Sequence, residues 1–261
     1  MCVTRTKFRI DVPISCESCG VREQKTVLNC DIEMGHTGHT GTARSRVEQI
    51  PSGQIMLEGE LSVPAGAGGI VLFAHGSGSS RHSPRNQFVA RTIREAGVGT
   101  LLFDLLTQEE EAVDLSTRHL RFDIGLLADR LVDATNWIKE KPDTAHLRVG
   151  YFGSSTGGGA ALVAAATLGE EIGAVVSRGG RPDLAGEALP KVRSPTLLIV
   201  GGLDYPVIRM NEEAYRQLNC EKELKIIPGA THLFEEPGTL EEAADLAAEW
   251  FQRHLVADQA A

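Results

Sequence analysis

Leu147-Arg148-Val149-Gly150-Tyr151-Phe152-Gly153-Ser154-Ser155-Thr156-Gly157-Gly158-Gly159 is the stretch from which the rest of the chain can be read. Val149 to Phe152 is a short apolar run, as expected of a strand buried on both faces. Gly153-Ser154-Ser155-Thr156-Gly157 follows without a linker, and then Ala160 to Ala166, a run of good helix formers. Strand, G-x-S-x-G and helix in that order make a sharp turn that lifts a serine hydroxyl above the end of a sheet. Its glycines are needed because side chains there would strike the strand or the helix. The register is fixed. A central Ser154 would put Phe152 and Thr156 where glycines belong, so Ser155 is the candidate nucleophile. A turn that is glycine-rich only for close packing is the plainer reading, and the match on both flanks argues against it.

Outward from this turn, apolar runs alternate with helical patterns. Gln54 to Val63 alternates apolar and polar residues, as a half-buried strand or hairpin does. Ile70 to Ala74 is continuously apolar, and a helix is expected from about Asn86 to Ala96, stopped by Gly97. Gly99 to Leu105 reads as a strand, Glu109 to Glu111 as part of a charged loop, and Arg121 to Lys139 as a long helix. Beyond the turn come strands at Ile172 to Val176, Pro195 to Val200 and Glu223 to Ile227. Helices are expected at Val207 to Leu218 and Leu240 to His254. Such alternation implies an α/β fold: a mostly parallel sheet with helices on both faces. In sheets of this kind, sites lie at the carboxyl ends of the strands.

That rule selects the polar residues just after each apolar run. Gly201-Gly202-Leu203-Asp204 follows one strand and Pro228-Gly229-Ala230-Thr231-His232 follows the last. With Ser155 they give the chain order Ser, Asp, His at three strand ends, the order of a hydrolase triad. A serine hydroxyl becomes a nucleophile when an imidazole takes its proton, and a buried carboxylate fixes that imidazole's tautomer. Donors for a developing oxyanion are expected from the N–H groups of Thr156 and Ser77, in the loop His75-Gly76-Ser77. Gly76 and Gly78 do not begin a dinucleotide fingerprint, because Arg81 stands at the third glycine position.

Five segments together resemble the dienelactone-hydrolase-like branch of the α/β-hydrolase superfamily. They are HGSGSSRHSPRN (75–86), FGSSTGGGAAL (152–162), SRGGRPDLAG (177–186), LLIVGGLD (197–204) and PGATHLFEEPG (228–238). The resemblance covers about residues 50 to 256. It implies the α/β-hydrolase fold without a large cap domain and a triad of Ser155, Asp204 and His232. Dienelactone hydrolases proper use a cysteine nucleophile. With Ser155 in that place, the resemblance implies a general serine esterase. The interval Ser177 to Ser194 has room for only one short helix and no lid, which points to small soluble esters. Lactone or thioester hydrolysis and acyl transfer are rival reactions on the same triad. A non-catalytic ligand-binding protein is the rival of another class. Gly76, Arg81, Arg85, Arg178 and Arg181 follow strand ends and are candidate substrate contacts, the arginines through a carboxylate. Pairing of Arg178 and Arg181 with Asp183, Asp104 or the Glu109 to Glu111 cluster is the alternative.

The chain of 261 residues suits one α/β domain, from residue 49 to 261, preceded by an extension, residues 1 to 48, of different character. That extension holds four of the five cysteines and lacks apolar periodicity. Cys16, Cys19 and Cys30 with His36 and His39 are ligand types whose spacing matches no common zinc pattern, so no metal or cofactor is expected. The net charge of -9 and the absence of a basic cluster argue against nucleic-acid partners. No apolar run approaches a membrane span. An odd number of cysteines with no regular framework suggests a reducing, cytoplasmic setting. The expected partner is a small-molecule ester. The oligomeric state is left open.

Overall fold

The computed structural model describes residues 45–256. Nearly all of the expected extension, with Cys16, Cys19, Cys30, His36 and His39, lies outside the described residues. The strands are β1 (Ser45–Ser52), β2 (Ile55–Ser62), β3 (Gly69–Ala74), β4 (Gly99–Phe103), β5 (Arg148–Ser154), β6 (Ile172–Arg178), β7 (Thr196–Gly201) and β8 (Lys222–Ile227). The helices are α1 (Pro84–Glu95), α2 (Gln108–Thr117), α3 (Ile124–Glu140), α4 (Thr156–Leu168), α5 (Tyr205–Gln217) and α6 (Thr239–Leu255). The strands form one sheet in the order β1-β2-β4-β3-β5-β6-β7-β8. β1 and β2 are an antiparallel hairpin, β2 is antiparallel to β4, and every later pairing is parallel. This is the α/β-hydrolase architecture that the sequence implies.

The parallel strands are apolar throughout because helices cover both faces. Along β3, Ile70, Leu72 and Ala74 pack into one core with α3 and α4, while Val71 and Phe73 pack into the other with α1 and α6. On the α6 side, strand glycines make room for one side chain. A Cβ at Gly69, Gly150 or Gly173 would lie 2.5, 3.0 or 2.7 Å from atoms of Leu255. Strand glycine here marks close approach of a helix. On the α3 side, the buried hydroxyl of Tyr151 lies 2.6 Å from Thr135 Oγ1, and burial raises its pKa. The bond satisfies a group that would otherwise cost about 1–3 kcal/mol to bury.

Two expectations are corrected. β1 begins at Ser45, so four residues assigned to the extension belong to the sheet, paired with β2 from Ser62 inward. The acidic segment after β4 is helix α2. Its first turn is closed by Thr107 Oγ1 accepting the Glu110 N–H at 3.2 Å, while the Glu110 carboxylate accepts the Thr107 N–H at 2.8 Å. This capping box satisfies two N–H groups that a helix start leaves unpaired. The same carboxylate receives both Nη atoms of buried Arg130, at 2.8 and 2.5 Å, so α2 is anchored to α3. Among the described residues, no helix is long and apolar enough to cross a membrane.

Candidate active site

Ser155 sits between β5 and α4 with φ 51° and ψ -122°, a backbone region that an L-residue enters only at a cost of ~1–3 kcal/mol. The surrounding backbone holds it there. Its N–H donates to the Arg178 carbonyl at 3.4 Å, and its own carbonyl accepts the N–H groups of Gly158 and Arg181 at 3.0 and 2.9 Å. The glycines of the pentapeptide let three backbones converge. A Cβ on Gly153 would lie 2.5 Å from the Gly157 carbonyl oxygen, and one on Gly157 2.0 Å from that of Ala74. Gly76 approaches from the β3 loop, its Cβ position 3.0 Å from Ser155 Cβ.

Asp204 and His232 meet above the ends of β7 and β8. Gly201 allows the His232 loop to lie close, since a Cβ there would come within 2.5 Å of the Ala230 carbonyl oxygen. The Leu203 N–H donates to Ala230 at 2.9 Å and ties the two loops together. Asp204 stands at the start of α5 yet makes no side-chain cap. Its carboxylate turns instead to His232, with Oδ2 2.6 Å from Nδ1. The side chain of Asp204 is 13% exposed and that of His232 40%, so the carboxylate lies beneath a ring open to solvent. Nδ1 bound to the carboxylate leaves Nε2 as the nitrogen available to take a proton. The Thr231 N–H donates to Glu236 at 3.0 Å, which braces the loop from its far side.

Ser155 and His232 line one cavity of about 750 Å³. Gly76, Ser77, Thr156, Arg85 and Arg178 also line it. The Ser155 hydroxyl makes no hydrogen bond among the described residues. Such bonds commonly tighten only once substrate is bound. Thr156 is the first residue of α4, so its N–H lacks an intrahelical acceptor and lies at the positive end of the helix. The Ser77 N–H differs from expectation in being already engaged, donating to Thr156 Oγ1 at 3.1 Å.

Two of the expected arginine contacts are placed elsewhere. Neither Arg81 nor Arg181 lines the cavity. Arg81 is tied by its guanidinium to Asp104 and Glu58, with its backbone N–H donating to Asp104 at 2.7 Å. Arg181 forms a two-point pair with Asp183 at 2.8 and 2.7 Å. Both are structural ion pairs, the second partly exposed. Arg85 does reach the cavity, and its partner is the exposed Glu235 at 3.3 Å. The acidic segment expected as a charged loop completes the wall. Glu111, Asp114 and Leu115 of α2 line it with Arg121, whose Nε bonds to Asp114. The Thr107-x-x-Glu110 spacing was the available signal for that helix.

His75 is a fastener. Its Nε2 accepts the Leu105 N–H at 2.9 Å, which leaves Nδ1–H to donate to the Gly76 carbonyl at 3.0 Å. It thereby joins the loops after β3 and β4 under the cavity floor. Burial pulls its pKa below the ordinary histidine value. The unfolded chain then takes up a proton on acidification that the folded chain refuses. The stability this supplies is present above about pH 6.5 and is lost as pH falls toward the depressed value. The melting temperature is expected to fall between pH 7 and 5, with a smaller slope in His75→Asn. Equal slopes in the two proteins would refute the assignment.

The comparisons with known proteins bear on the family and the fold. Residues 64–255 match the model of the dienelactone hydrolase family. A solved dienelactone hydrolase from Anabaena variabilis is 64% identical, with a TM-score of 0.81 over 82% of this chain and 99% of that one. Est1E from Butyrivibrio proteoclasticus is 18% identical with a TM-score of 0.67, over 80% of this chain and 98% of that one, a likeness of fold alone. A curated Mycobacterium tuberculosis protein, provisionally named a phosphoribosyl transferase, is 57% identical over 212 residues. Those residues are 81% of this chain and 47% of that protein, so the chain spans about half the length of this curated relative.

Proposed function

The chain belongs to the dienelactone hydrolase family, and we propose that within it the chain is a serine hydrolase cleaving small soluble carboxylic esters. The observation that carries this reading is Ser155, held at φ 51° in one cavity with a His232 bonded to Asp204 at 2.6 Å. The Ser155 hydroxyl attacks the ester carbonyl as its proton passes to His232 Nε2. The oxyanion that forms is held by the Thr156 N–H at the positive end of α4. The Ser77 N–H joins it once the Thr156 hydroxyl rotates away. Collapse of the intermediate expels the alcohol, which takes the proton back from His232, and leaves an acyl-Ser155. Water, deprotonated by His232, attacks the acyl carbonyl, and the acid departs with Ser155 reprotonated. Asp204 holds the tautomer and stabilises the imidazolium.

The transferase activity in the name of the mycobacterial protein belongs to a chain more than half of which lies outside the match. A fluorophosphonate probe tests the hydrolase reading. It should label the protein at Ser155, located by peptide mass analysis, and a protein that binds without catalysis should stay unlabelled there.

Acyl length follows from what surrounds the cavity. The segment between β6 and β7 holds one short kinked 3₁₀ stretch, Pro182–Lys191, buried at Pro182, Ala185 and Leu189. It is packed down, with no span left over for a mobile cover. α2 forms part of the rim, and its Glu111 would be costly to press against lipid. The expected result is a kcat/KM that peaks at or below octanoate among p-nitrophenyl esters. A rise toward palmitate, or a jump above the substrate's critical micelle concentration, would contradict the open rim.

A further inference from the structure

The Ser77 N–H is one of two donors that the proposed mechanism aims at the oxyanion, and it is already occupied. It donates to Thr156 Oγ1 at 3.1 Å, and the hydroxyl oxygens of Ser77 and Thr156 lie 3.0 Å apart. Counting donors orients the whole chain. The Arg121 carbonyl can only accept, so the Ser77 hydroxyl donates to it, at 3.3 Å. A hydroxyl carries one proton, so Thr156 must be the donor in its contact with Ser77 Oγ. The order runs from Ser77 N–H to Thr156 Oγ1, from Thr156 O–H to Ser77 Oγ, and from Ser77 O–H to the Arg121 carbonyl. Neither hydroxyl proton is left over for a substrate.

An oxyanion donor works at about 2.7–3.1 Å from the atom it stabilises, and Thr156 Oγ1 stands at that distance from Ser77 N. The backbone on both sides is fixed. The Ser79 N–H donates to the Gly76 carbonyl at 3.1 Å across a tight turn in which Gly78 has φ 69°, as a type II turn requires. His75 fastens that loop to Leu105. Thr156 opens α4, whose Gly157 abuts the Ala74 carbonyl. What can move is the Thr156 side chain, which is buried and stiff about χ1 because it is β-branched. The far end of the chain is a cavity wall. Arg121 bonds through Nε to Asp114, whose carboxylate also accepts the N–H groups of Leu120 and Arg121 at 2.8 and 3.3 Å. Both Arg121 and Asp114 line the cavity.

We propose that the Thr156 hydroxyl is a built-in occupant of the oxyanion site, latched to the Arg121 wall by the Ser77 hydroxyl, so that the free protein keeps one of its two donors shut. A reacting carbonyl must displace that hydroxyl before the Ser77 N–H can serve it, while the Thr156 N–H stays available throughout. This rests on the hydrolase reading and adds a restraint to it. Hydrogen bonds of this kind have a net worth that corresponds to roughly 3- to 10-fold in rate.

Thr156→Ala removes the occupant and keeps the backbone N–H. It should raise kcat/KM for p-nitrophenyl butyrate about 3- to 10-fold. Thr156→Ser, whose hydroxyl turns more freely about χ1, should gain less. Ser77→Ala cuts the latch, keeps the Ser77 N–H and should also raise kcat/KM. The double variant should fall short of the product of the two gains, because both act on one chain. A pair of ketones separates the occupant from packing. Ser155 adds to 1,1,1-trifluorohexan-2-one and places an oxyanion in the site, whereas hexan-2-one binds without that adduct. Thr156→Ala should tighten the first by the same factor as kcat/KM and leave the affinity for the second nearly unchanged. A threonine that serves packing alone would lower turnover or shift both ketones together, and either result would overturn the proposal. So would an unchanged kcat/KM, the result expected if water replaces the hydroxyl at equal cost. A tenfold fall would make the hydroxyl a donor to the oxyanion rather than its rival, and would overturn it too. Should Thr156→Ala fail to fold, Ser77→Ala decides by the same two measurements. One arm needs no turnover: the Ser77 amide should exchange its hydrogen more slowly in the wild type than in Thr156→Ala. If exchange differs so but no ester turns over and no probe labels Ser155, the hydrolase reading fails and the occupied N–H stands. Equal exchange in the two proteins removes the occupant whatever the activity.

Discussion

Ser155→Ala is expected to lower ester turnover by on the order of 10⁴ to 10⁶, with the melting temperature nearly unchanged. The size follows from the proposed role, since members of a triad act as a unit and a nucleophile has no substitute. The unchanged stability follows from the structure. Alanine keeps the Cβ that packs against Gly76, and it meets the same backbone strain at φ 51°. The Ser155 hydroxyl has no hydrogen bond to lose among the described residues. Ser155→Gly should be as inactive yet more stable, by up to ~1–3 kcal/mol, because glycine occupies positive φ without strain. Ser154→Ala is the control. Ser154 is buried as the last residue of β5, and its loss should affect turnover mildly. If Ser154→Ala were the inactivating change and Ser155→Ala the mild one, the turn has been read in the wrong register.

The parts of this molecule that were legible in its sequence are those where one physical requirement dominates. Strands such as Gly69–Ala74, buried on both faces, have no room for polar residues and announce themselves as apolar runs. The turn around Ser155 needs glycines at fixed offsets, and Asp204 and His232 follow their strands directly. β1 was hard to see for the opposite reason. It is an edge strand in which Ile50 is fully buried while Val47 is 67% exposed, so little of its pattern is imposed by a core. The helix α2 was obscured by Glu109, Glu110 and Glu111, which read as a solvated loop. In the structure Glu110 is a cap and the partner of Arg130, and Glu111 faces the cavity. The arginines show a different limit. Arg81, Arg85, Arg178 and Arg181 are alike as sequence, each close behind a strand end. Arg181 pairs with Asp183 only two residues on, but whether Arg81 has a partner depends on Asp104, 23 residues away, and local pattern carries no trace of that contact.

Gly157→Ala is expected to destabilise the protein by more than about 3 kcal/mol and to abolish most activity, although it sits in a helix. In an exposed helix interior the same change stabilises by up to ~1 kcal/mol, so even the sign is a test. The added methyl would lie 2.0 Å from the Ala74 carbonyl oxygen, 2.6 Å from Ala74 C and 2.7 Å from the His75 carbonyl oxygen. These are backbone atoms at the end of β3, a strand paired with both β4 and β5. They cannot retreat without breaking a central ladder, so α4 must withdraw instead. Withdrawal moves Thr156, whose N–H is the proposed oxyanion donor, and it disturbs Ser155 directly. Overpacking of a core usually costs 1–3 kcal/mol, and an immovable backbone neighbour puts this site above that range. Gly97→Ala separates crowding from conformational strain. Gly97 has φ 82° and nothing within 4 Å of its Cβ position, so only the backbone penalty applies, ~1 kcal/mol. At 2–4 °C per kcal/mol for a domain of this size, Gly97→Ala should lose a few degrees and Gly157→Ala more than about 6 °C. A Gly157→Ala protein that melts at or above the wild type with full turnover would mean that α4 does not pack against β3 as closely as described, and the geometry assigned to the Ser155 turn would fall with it.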